Sequence, residues 1–66
     1  MADALPLSIV RHVYKNSLLN SEIVRQASRE TTDPANSDWL NARADQIAQF
    51  AEQLNQEIRD REASGE

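Results

Sequence analysis

One proline decides the plan of this chain. Pro34 is the only helix breaker between Leu7 and Ser64, with Pro6 and Gly65 at the two edges. Proline lacks a backbone N–H and pushes the residue before it out of helical angles. A helix arriving from the N-terminal side must therefore end by about Thr32. On either side lie uninterrupted stretches rich in Ala, Gln, Glu, Arg and Leu and poor in β-branched residues, a composition that forms helix. Asn36, Ser37 and Asp38 are good N-caps and set a second helix at about 37–62, with Asp33–Pro34 as a competing start. The short connection favours antiparallel neighbours.

The second helix carries the clearest signal. Leu40, Ala44, Ile47, Ala51, Leu54 and Ile58 recur at alternating spacings of four and three, an a/d seam in which small residues alternate with large ones. Ala44 and Ala51 would let a facing helix come close. Glu57 and Arg61 form an i,i+4 pair of favourable orientation. Gly65 is the expected terminator, with frayed tails expected at 1–5 and 63–66.

The first half is less regular. Ile9, Val10, Val13 and Tyr14 form one apolar stripe, and Ile23, Val24 and Ala27 return to it if the helix is continuous. Between them lies "NSLLNS", which puts Asn16, Ser17, Asn20 and Ser21 on the expected core face and points Leu18 and Leu19 elsewhere. No Gly, Pro or capping box marks a break, so one helix over about 7–31 is the favoured reading. A break near 16–20, giving three helices, is the alternative.

Sixty-six residues make one small domain, marginal without disulfide, metal or oligomerisation. The chain has no Cys and one His, so thiolate metal sites and disulfides are excluded. The N-terminus "MADALPLSIV" lacks the basic start and unbroken apolar stretch of a signal peptide, and no run is long enough to span a membrane. A soluble, cytoplasmic protein is expected, without membrane binding.

No chemistry emerges from the residues. His12 stands beside Arg11 and near Lys15, with no carboxylate at helical spacing to orient it. The acidic residues scatter around the second helix, and no Glu-x-x-His pair is present. One glycine cannot build a phosphate loop. The expectation is no enzyme activity, no catalytic residue, no cofactor, no metal and no small-molecule substrate.

Binding is the remaining class. On a helical wheel, Trp39 and Phe50 share one shoulder of the second helix, about 80–100° off its seam (at about 100° per residue). A lone hairpin would leave them and the Leu18–Leu19 pair uncovered, and contiguous apolar patches mark interaction surfaces. A symmetric dimer forming a four-helix bundle would cover them. Trp39 either caps the end of the core or anchors an interface. The candidate interface residues are Trp39, Phe50, Leu18, Leu19 and Tyr14. The expected role is a small protein–protein interaction module: an adaptor, a regulatory inhibitor or a subunit of a larger assembly. The composition suits a bacterial or phage regulator.

Charge supplies the alternative. Residues 1–31 carry Arg11, Lys15, Arg25 and Arg29 against three acidic groups, and residues 32–66 carry three basic groups against eight. Those four basic residues fall on one face of the first helix and could contact nucleic acid. The net charge of −4 and Glu22 within the stripe argue against it. In size and layout the chain is similar to the small plasmid regulator Rop, a two-helix protein that dimerises into a four-helix bundle and binds RNA. The similarity rests on no motif residues. It transfers no function and no sites; the basic face of the first helix is what gives a Rop-like dimeric nucleic-acid-binding regulator as the second reading.

Overall fold

The computed structural model describes residues 5–66. They form an antiparallel hairpin of two helices, α1 (Leu7–Glu30) and α2 (Pro34–Ala63). Helix α1 runs unbroken through "NSLLNS", so the three-helix alternative does not occur. The expected N-terminal tail lies outside the described residues apart from Leu5.

The turn follows from Asp33 and Pro34. Pro34 holds Asp33 in an extended conformation (φ −85°, ψ 116°), which is what an N-cap requires. The Asp33 carboxylate accepts from the Ala35 amide at 3.0 Å and from the Asn36 side chain at 3.4 Å. Its carbonyl accepts the first helical bond, from Ser37 N at 2.9 Å. With Pro34 in the first turn, α2 begins before the expected position near 37. At the far end, Gly65 adopts φ +92°. The Gly65 amide donates to the Glu62 carbonyl at 3.0 Å, and Glu66 N to the Arg61 carbonyl at 3.1 Å. That is a Schellman motif, and it organises residues 64–66.

Both helices present one regular seam. On α2 it runs Ser37, Leu40, Ala44, Ile47, Ala51, Leu54, Ile58 and Arg61, and none of these is exposed. On α1 it runs Leu7, Val10, Tyr14, Ser17, Ser21, Val24, Ser28 and Thr31, again with none exposed. The expected α1 stripe is therefore corrected. Val10, Tyr14, Ser17, Ser21 and Val24 belong to the seam as expected, but Ile9, Asn16, Asn20 and Ile23 are exposed, and Ser28 joins the buried residues. Spacing explains it. The three–four repeat through Val10, Tyr14, Ser17, Ser21, Val24 and Ser28 turns both isoleucines outward, and the fully buried Ala44 and Ala51 on α2 allow the helices to approach closely.

Each buried hydroxyl is satisfied. Ser21 Oγ donates to the Leu18 carbonyl at 2.9 Å. Ser28 and Ser37 clasp the loop end reciprocally: each hydroxyl lies 3.2 Å from the other residue's carbonyl. Among the described residues, no buried side-chain nitrogen or oxygen lacks a partner. Hydroxyls that find a carbonyl, Ser21 on its own helix and Ser28 across the turn, can occupy a core without the usual cost of a buried polar group.

Ala51→Leu should overpack the close crossing and cost about 1–3 kcal/mol. Thermal unfolding followed by circular dichroism checks this, and an unchanged or raised midpoint would show that Ala51 is not at a tight contact. Asp33→Ala removes the cap and should cost about 1 kcal/mol in the same assay.

Candidate interaction face

The hairpin has two flanks, and they differ. On one flank, Arg11 pairs with Glu62, and Arg25 reaches Asp45 at 2.9 Å. On the other lies an open groove of about 410 Å³ lined by Ser17, Asn20, Arg43, Gln46, Ile47 and Phe50. At about 100° per residue, Asn20 is about 180° around α1 from Arg11, and Arg43 about 160° around α2 from Asp45. The ion pairs and the groove therefore lie on opposite sides of the seam.

The candidate interface residues distribute over several surfaces. Trp39 and Phe50 stand together on the groove flank, 66% and 49% exposed. They are about 17 Å apart along the axis at about 1.5 Å per residue. Leu18 falls on the opposite, ion-paired flank, seven residues from Arg11. Leu19 is on the back of α1, together with exposed Ile23. Tyr14 is half-buried in the seam. Sequence reasoning missed Ile9 and Ile23 as surface groups because it assigned them to the core. The signal that could have found them is the heptad through Val10, Ser17 and Val24, which turns both isoleucines outward.

Trp39 does not close the core of this chain. The loop end is held by the Ser28–Ser37 clasp, and the indole lies outside it.

The four basic residues Arg11, Lys15, Arg25 and Arg29 do share a flank of α1. It is the flank that α2 lines with acid. Arg11 and Arg25 are engaged across the hairpin, and Arg29 donates to Gln26 at 3.1 Å. His12 is exposed. Among the described residues, no group of three or more His, Cys, Asp or Glu side chains could hold a metal ion. No helix there is long and apolar enough to cross a membrane.

Arg61 closes the open end. Its guanidinium donates to the Leu5 carbonyl at 2.7 Å, binds the Glu66 carboxylate, and lies 3.8 Å from Glu57. The hydrogen bond from Arg61 holds the Glu66 carboxyl below the ordinary glutamate range, with Coulombic attraction adding to it. The same bond raises the Arg61 pKa.

No protein-family model matches the chain, and no curated protein or solved structure matches it either.

The depressed Glu66 pKa means this clasp is fully formed above the ordinary glutamate value and is lost as pH falls through the lower folded-state value. An NMR titration should place the Glu66 midpoint below the ordinary value, and Arg61→Gln should return it there. Equal midpoints in the two proteins would remove the clasp.

Proposed function

We propose that this chain is a small non-enzymatic protein–protein interaction module, an adaptor, inhibitor or assembly subunit, that works through its groove flank. One observation carries the reading: Trp39 and Phe50 are left open on one flank while only four hydrophobic side chains, Val10, Ala44, Ala51 and Ile58, are buried among the described residues. Large aromatic side chains standing in water beside a groove are typical anchors, since each removes much apolar area from water for little loss of rotamer freedom. Arg43 and Gln46 on the groove supply the polar rim that sets orientation.

The competing reading, a Rop-like regulator that binds nucleic acid through the basic stripe, is weaker. Arg11 and Arg25 already face carboxylates on α2, which screen the stripe from phosphate.

Trp39→Ala should weaken partner binding or assembly at least tenfold and leave the helix content nearly unchanged. Titration with partner, or mass against concentration, gives the first quantity, and circular dichroism gives the second. An unfolded variant would assign Trp39 to the core and end the anchor reading. For the alternative, filter binding of the unaltered protein to RNA and DNA at low salt should give no retention. Salt-sensitive retention abolished by Arg11→Glu with Arg25→Glu would reverse the preference.

A further inference from the structure

Resting on the interaction reading above, we propose that the occupant of the groove flank is a second copy of this chain, docked face to face and antiparallel about a two-fold axis at the height of Phe50.

The argument begins with the pattern along α2. Arg43, Phe50 and Glu57 recur every seven residues and so form one column beside the seam. The column reads cation, aromatic, anion. A two-fold axis at Phe50 that reverses the helix direction brings Arg43 of each copy to the height of Glu57 of the other. It also sets the two Phe50 rings at one level. A parallel arrangement of the same columns would oppose Arg43 to itself and Glu57 to itself. An isologous interface must be self-complementary, and this column is so only when antiparallel.

Helix α1 obeys the same operation. Two of its columns lie toward this flank: Val13, Asn20, Ala27, of which Asn20 lines the groove, and Ile9, Asn16, Ile23 farther round toward the back of the helix. Both read apolar, amide, apolar. Reversal about residue 18 places Val13 against Ile23, Ile9 against Ala27, and Asn20 against Asn16. Apolar groups meet apolar groups, and amides meet amides. The centres on the two helices coincide, because the groove already places Phe50 beside Ser17 and Asn20. One axis therefore serves both helices. The polar middle of α1 becomes the central layer that fixes the register, the use to which buried amides are put in helical bundles.

Area agrees. The hairpin is a rod of 48 × 21 × 15 Å exposing 4999 Å². A compact monomer of this mass exposes about 4,200 Å². The rod shape accounts for the excess and leaves one long flank open to a partner, where a standard interface takes roughly 800 Å² from each side.

Light scattering on a sizing column over a wide concentration range should give twice the chain mass. Phe50→Asp should give the monomer mass with helical circular dichroism retained. Arg43→Glu alone and Glu57→Arg alone should each raise the dimer dissociation constant roughly tenfold, since each puts two like-charged pairs across the axis. The double variant Arg43→Glu with Glu57→Arg should return it to near the original value. A monomer at all concentrations overturns the self-association but leaves the interaction reading, which a heterologous partner would then satisfy. A dimer indifferent to the single reversals, or one that the double variant fails to restore, overturns the face and the register. Were Phe50→Asp to lose its helix, the charge series, made entirely at exposed positions, would decide the matter.

Discussion

Close approach of two backbones along a seam of small side chains is the contact on which the rest of this hairpin depends. Ala44 and Ala51 on α2 and Ser17, Ser21 and Ser28 on α1 line that seam together with Val10, Ile47, Leu54 and Ile58. Dispersion grows with contact density, so a tight seam extracts stabilisation from side chains too small to contribute much by area alone. Ser21 and Ser28 fit because each hydroxyl finds a carbonyl, that of Leu18 for the first and that of Ser37 across the turn for the second. The same choice limits the core. A fully buried valine or isoleucine contributes about 1.5–3 kcal/mol, and few are buried here.

That limitation shapes the surface. A thin seam leaves both helices with large apolar groups turned outward, and the two flanks use the space differently. One is tied across by Arg11–Glu62 and Arg25–Asp45. Exposed ion pairs of this kind add little stability, but they make the flank polar and favour the antiparallel pairing of a weakly basic helix with an acidic one. Among the described residues the other flank has no ion pair between the helices, only Arg61–Glu57 within α2, and it keeps Trp39, Phe50 and the groove open. Function, in the reading favoured here, follows from that asymmetry: a small fold that cannot cover its own aromatics acts by having them covered.

The ends of the hairpin are set by local chemistry. Asp33 and Pro34 begin α2, the Ser28–Ser37 clasp locks the turn, and Gly65 closes the last turn in a left-handed conformation. Arg61 then ties Leu5, Glu57 and Glu66 together at the opposite end. None of these needs a large core, which suits a chain that has none.

The number of helices, their approximate limits and the α2 seam were legible in the sequence, because Pro34 and a three–four spacing of Leu, Ile and Ala act locally and leave one solution. The start of α2 at Pro34 was visible only as a competitor, since four good caps lie within six residues and only the folded turn selects among them. The face of α1 was legible only in part, since Val10, Tyr14, Ser17, Ser21 and Val24 could be placed on it but its exact rotation could not. Hydrophobicity alone assigns Ile9 and Ile23 to the core. Only the packed pair shows that Ser28 joins the seam and that Ile9 and Ile23 turn outward. Likewise, the sequence grouped Trp39, Phe50, Leu18 and Leu19 as uncovered. Their separation onto different flanks depends on how α1 is rotated about its axis, which the seam against α2 decides.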